Sequence, residues 1–146
     1  MRIRVLALAL VTGAVLAGVA GASMSPVVSS KLSGTNERPT KGAPAGAGIV
    51  TLHLNASKGT VCWDFKGVRG FANPNAAHIH KGGRLTAGPV VVPFGAAYKA
   101  KGCTKAGVKT IAAIEEHPNA YYVNVHSAKY PGGAIRGQLV AGMISG

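Results

Sequence analysis

Apolar and polar residues alternate with a period of two along much of this chain, the pattern of half-buried strands. From Ile49 through Leu54, the apolar Val50, Leu52 and Leu54 alternate with Thr51 and His53. The segment Ala56 to Gly59 can turn the chain, and Val61, Trp63 and Phe65 then repeat the alternation with Cys62 and Asp64 on the other face. Together the two runs predict a hairpin. Further on, Ala76 to His80 reads as a brief strand, Gly88 to Pro93 as a second one built on Val90, Val91 and Val92, and Phe94 to Lys105 as a long loop carrying Cys103. The period then changes: Val108, Ile111, Ala112 and Ile114 fit one face of a short helix over 108–116, which Pro118 ends. Two more strands, Ala120 to His126 and Ala134 to Val140, flank a loop containing Pro131-Gly132-Gly133. Ahead of these elements, residues 23–30 read as a flexible lead-in, Lys31 to Gly34 as a short edge strand, and the Gly-rich Lys41 to Gly48 as a loop. About seven to eight short strands and one helix predict an all-β antiparallel sandwich or barrel occupying residues 31–141.

The N-terminus follows a different pattern. Arg2 and Arg4 precede an uncharged apolar run from Val5 to about Ala20, which ends in the small residues Ala20-Gly21-Ala22. That order of charge, apolar run and small residues reads as a secretory signal peptide over 1–22, with cleavage after Ala22. A membrane anchor is the alternative, but spanning needs ~20 apolar residues and this run is barely that long. No later stretch is long or apolar enough to span. Cleavage would leave 124 of the 146 residues, a length that suits one domain. It would also remove two of the 16 basic residues, leaving 14 against four acids and a net charge of +10.

Such a charge favours anionic envelope polymers or surfaces through long-range attraction. The basic residues are dispersed, with few aromatics among them to stack on bases, so no specific nucleic-acid recognition is expected. In an oxidising compartment Cys62 and Cys103 are expected to pair. A thiolate metal ligand or a catalytic nucleophile would instead require a reduced cysteine.

The candidate chemistry lies in the histidines. Side chains at i and i+2 of a strand share a face, so His78 and His80 should project together while Ile79 enters the core. By the same rule Tyr122, Asn124 and His126 share a face opposite Tyr121, Val123 and Val125. If the two strands are neighbours, His78, His80 and His126 converge, and three neutral imidazoles with an open position suit zinc or copper(II). The alternative is that they make hydrogen bonds at a sheet edge or face solvent. His53 and His117 are expected outside this group, the first on the surface and the second at the helix end.

Several motifs occur together in a fixed order: Leu32-Ser33-Gly34-x-Asn36-Glu37-x-Pro39, Ala77-His78-Ile79-His80-x-Gly82, Gly88-Pro89-Val90-Val91, Tyr122-Val123-Asn124-Val125-His126 and Gly132-Gly133-x-Ile135-Arg136-Gly137-Gln138-Leu139. In these the chain resembles the CHRD domain, the module named after its repeats in chordin and found singly in exported bacterial proteins. The resemblance implies an immunoglobulin-like or Greek-key barrel. Its motif positions fall on Glu37, His78, His80, Asn124, His126 and Arg136. The chain departs from the family pattern at Ala134, where an acid is usual, and at Arg38, where an apolar residue is usual. Glu37 and Arg136, in motifs at opposite ends of the domain, are expected to form an ion pair tying the first strand to the last, with Asn124 in the same polar network.

An exported, non-enzymatic binding or envelope-associated structural module is the function expected from these features. An extracytoplasmic copper or zinc binding protein is the alternative. An enzyme resembling copper–zinc superoxide dismutase is a poorer fit. That dinuclear site needs more histidines than the five present, and the sole aspartate, Asp64, lies on a different predicted strand. No Ser, His and Asp set and no clear acid and base pair suggests a hydrolase.

Overall fold

The structure, a computed structural model, describes residues 26–144, so the predicted signal peptide and Ser23 to Ser25 lie outside the described residues. The elements run β1 (Val27–Ser33), β2 (Ala47–Asn55), β3 (Thr60–Arg69), β4 (Pro74–Lys81), β5 (Val90–Pro93), β6 (Lys101–Lys105), α1 (Val108–Glu116), β7 (Tyr121–Ser127), β8 (Ile135–Gln138) and β9 (Val140–Ala141). Every strand pairing is antiparallel. They join one sheet in the order β5-β4-β7-β8-β1-β2-β3-β6, with β9 also beside β1. This sheet curls into a nearly closed barrel, which decides between the two predicted all-β architectures.

The alternation read from the sequence is what fills the barrel. Val50, Leu52 and Leu54 of β2, Val61, Trp63 and Phe65 of β3, Ile79 of β4 and Val123 and Val125 of β7 all enter one core. Each such side chain contributes roughly 1.5–3 kcal/mol when fully buried. Aromatic rings cluster where the segment after β5 meets β3. Phe94, just past β5, stacks on Trp63 of β3 with centroids 4.5 Å apart, and Phe65 meets Tyr98 at 5.5 Å. Helix α1 has the predicted bounds and inserts Ile111 and Ile114 into the same core.

Three sequence expectations differ from the fold. Residues 27–30, predicted as lead-in, belong to β1, which is an interior strand between β2 and β8/β9 and not an edge. The reason is the serines. Ser29 is buried, its Oγ donates to the Gly142 carbonyl at 2.6 Å and accepts from the Ile144 amide at 3.1 Å, so a residue that reads as polar and flexible is satisfied inside the sheet. Residues 101–105, predicted as loop, form β6 against β3, with Lys101 and Lys105 exposed along the edge. The last predicted strand, 134–140, divides into β8 and β9 at Leu139, whose amide turns to the Tyr121 carbonyl.

Cys62 and Cys103 stand directly opposite each other in the β3–β6 ladder and form the expected disulfide.

Candidate metal centre

Strands β4, β7 and β8 lie side by side, and their register aligns their outward-facing polar residues into rows. One row runs His78, Asn124, Arg136, and the next His80, Tyr122, Gln138, while His126 stands opposite Ala76. The intervening residues, Ile79, Val123, Val125 and Ile135, hold these strands to the core.

Polar residues on an outer face ordinarily meet water, but here the loop from Gly82 to Pro89 folds back over them. The face itself holds the loop down through its backbone. Gln138 Nε2 donates to the Gly82 carbonyl at 2.7 Å, and Arg136 Nη2 donates to the Gly83 and Thr86 carbonyls at 2.7 and 2.9 Å. The Gly88 amide donates to the Tyr122 hydroxyl at 3.1 Å. As a result His80, Asn124 and Arg136 are all buried.

The three histidines converge beside this cover, because β4 and β7 are neighbours, the condition on which the sequence reading rested. One ring nitrogen from each of His78, His80 and His126 lies within 4.8 Å of the others. The backbone fixes how two of the rings present their nitrogens. His80 Nδ1 is 2.8 Å from the Gly88 carbonyl and His126 Nδ1 is 2.9 Å from the Pro131 carbonyl. A carbonyl can only accept, so both rings carry a proton on Nδ1, and in neutral His80 this leaves the Nε2 lone pair free. His80 Nε2 is buried with no hydrogen-bond partner. His126 Nε2 lies 3.2 Å from His78 Nδ1 and 2.9 Å from Asn124 Oδ1, so a metal would have to displace these contacts to reach it.

Burial, and then the neighbouring imidazoles, lower the pKa of His78 to about 4, and burial lowers those of His80 and His126. All three are therefore neutral at pH 7, the state in which imidazole binds a metal. Two nitrogens bound to tetrahedral zinc at ~2.0–2.1 Å lie ~3.3 Å apart, so ring movements of about 1 Å would suffice to coordinate all three. A carbonyl oriented behind a ligand histidine is the usual support of such sites. His78 and His126 are only partly buried, which leaves a side of the cluster open to a fourth ligand.

Glu37 and Arg136 join the same region but not as predicted. Both are buried, at 2% and 1% exposure, yet no ion pair forms between them. Arg136 lies flat on Tyr122, its guanidinium carbon 3.4 Å from the ring centroid, and Tyr122 stacks in turn on His80. The loop carbonyls and this ring occupy the guanidinium in place of a bidentate carboxylate pair. The Glu37 carboxylate packs instead against Gly133, whose φ of +132° favours glycine and where a Cβ would collide with it. Burial raises Glu37 to about 7 against the attraction of Arg136 and the Asn124 side chain.

Six buried side-chain polar atoms among the described residues lack a hydrogen-bond partner, and four of them belong to this region: Glu37 Oε1, His80 Nε2, Arg136 Nη1 and Gln138 Oε1. Unpaired buried groups are costly, so their concentration in one place singles it out as the candidate site.

Tyr122 and Gln138 escaped the sequence-derived site, although their spacing two residues from Asn124 and Arg136 placed them on the same face. The Gly88 and Pro131 carbonyls, which accept from Nδ1 of His80 and His126, left no signal in the sequence. His53 and His117 stand apart from the cluster, as expected.

No curated protein and no solved structure matches the chain. Residues 28–139, from the second residue of β1 to the residue after β8, do match the CHRD domain, and with most of its length covered the protein belongs to that family.

Proposed function

We propose that this domain binds one transition-metal ion, zinc or copper(II), through His78, His80 and His126. We further propose that it acts as a carrier or buffer outside the cytoplasm, binding the ion without turning over a substrate. The observation that carries this reading is the unpartnered, buried Nε2 of His80 within 4.8 Å of nitrogens from two other neutral imidazoles. An imidazole nitrogen is otherwise expensive to bury without a partner. The Cys62–Cys103 disulfide supports an oxidising, extracytoplasmic setting, where such an ion would be met.

Metal analysis of protein purified without an affinity tag, after incubation with zinc and dialysis, tests the reading. About one ion per chain is expected for the natural protein and close to none for His78→Ala and His80→Ala. Equal metal content in all three would overturn it.

Attachment to an anionic envelope polymer or surface is a second, compatible part of the proposal. Among the lysines and arginines of the described residues, only Lys101 pairs with an acid, Asp64, at 3.0 Å. Apart from buried Arg136, the remaining positive charge supports binding to an anionic surface. Retention on an anionic resin should fall steeply between low and high salt, and retention independent of salt would remove this part.

A further inference from the structure

Beside the histidine cluster, on the far side of Arg136, lies a separate pocket of about 150 Å³ lined by Asn36, Arg38, Arg84, Leu85, Arg136 and Gln138. It brings together three arginines from three parts of the chain: the turn after β1, the loop over the polar face, and β8. No acid lines it, and none of the three guanidiniums is within ion-pair distance of a carboxylate among the described residues. Buried Glu37 attracts Arg136 and Arg38 from outside the pocket, but its carboxyl, raised to about 7, is a partial counter-charge for three converging cations.

Arg136 is built in rather than adventitious. It is 1% exposed, its Nη2 is spent on the Gly83 and Thr86 carbonyls, one face lies on Tyr122, and its Nη1 is buried with no partner. Arg38 is likewise anchored, with Nη1 donating to the Glu37 carbonyl at 2.7 Å and to the Thr35 carbonyl at 3.2 Å. A fixed guanidinium presents its donors in a planar fork that matches the oxygens of phosphate or sulfate. The pocket is too small for a drug-sized ligand, which needs ~300–1,000 Å³. It suits a small anion or the charged end of a larger one. Arg84 and Leu85 are exposed at its mouth, leaving room for a chain to continue outward.

We infer that Arg38, Arg84 and Arg136 form a binding site for a tetrahedral oxyanion, phosphate or sulfate, either free or as the terminal ester of a larger molecule. The site needs no metal, and the loop 82–89 that carries Arg84 also supplies the carbonyls that hold Arg136 and His80.

Calorimetric titration of chelator-treated protein at constant ionic strength tests the inference, with inorganic phosphate, sulfate and glycerol 3-phosphate as probes and chloride as the reference. Saturable binding of at least one oxyanion at one site per chain is expected. Arg84→Ala, an exposed loop position, and Arg38→Ala should each weaken it about tenfold or more, whereas Lys58→Ala, on a distant turn, should leave it unchanged. Thermal melting of each variant confirms that it is folded. Tighter binding of the inorganic ions assigns the site to the free anion, and equal or tighter binding of glycerol 3-phosphate assigns it to an ester. No saturable binding of any oxyanion, or equal affinities in the natural protein and both arginine variants, would overturn the inference whatever the histidine cluster binds.

Discussion

The imidazole of His80 shows how backbone and packing fix the state of a single residue. Its Nδ1 proton is committed to a backbone carbonyl, its ring is stacked on Tyr122, and its other nitrogen is buried without a partner. That the side chain would share a face with His78 was legible in the sequence, because strand geometry alone requires it. Which nitrogen faces the cluster was not, because Gly88 contributes only backbone. Glu37 makes the same point in reverse. Opposite charge suggested a pair with Arg136, but the packing of Arg136 on Tyr122 and the space above Gly133 decide where the carboxylate lies.

The raised pKa of Glu37 has a consequence for stability. With a folded value of about 7 against 4.5 ordinarily, folding favours the protonated acid. That contribution is fully present below pH 4.5 and is lost as pH rises through about 7. Glu37→Gln, which mimics the neutral acid, should therefore gain stability relative to the natural protein between pH 4.5 and 8, by on the order of 2–3 kcal/mol. The lowered histidine values act in the opposite sense in both proteins and cancel in the comparison. Urea unfolding across this range measures the difference, and parallel pH curves would contradict it.

At the scale of elements, the hairpin of β2 and β3, the helix and the face of β7 were legible because each carries a clean period of two or 3.6 and is bounded by turn residues. Residues 27–30 and 101–105 were not. Their strands are held by pairing partners distant in sequence, β9 for the buried serines and β3 for the lysine-rich edge. The convergence of His78, His80 and His126 likewise depends on β4 pairing with β7, a juxtaposition of segments 48 residues apart that local pattern can suggest but not decide.

The disulfide acts at this scale too. It ties edge strand β6 to β3 across a sequence separation of 41 residues. In the chain-entropy account a closure of that length is worth about 3–4 kcal/mol. The double variant Cys62→Ser with Cys103→Ser should lose about that much in denaturant unfolding, and a loss below ~1 kcal/mol would show that the β3–β6 ladder holds without it.

Over the whole molecule, the barrel serves as a rigid frame for one polar face. Its core fixes β4, β7 and β8, and the loop from Gly82 to Pro89 turns an outer surface into a buried site with unpaired polar atoms. The family match over residues 28–139 covers every side chain of that face and both neighbouring segments. The all-β class followed from the sequence, whereas the choice of a barrel required the single continuous sheet. The most direct measurement of the metal-binding reading is anomalous diffraction at the zinc edge from crystals of the protein soaked in zinc. A single strong peak ~2.0–2.1 Å from one nitrogen each of His78, His80 and His126 is predicted. Zinc confined to other surface sites, with no peak in bonding reach of all three imidazoles, would contradict the account.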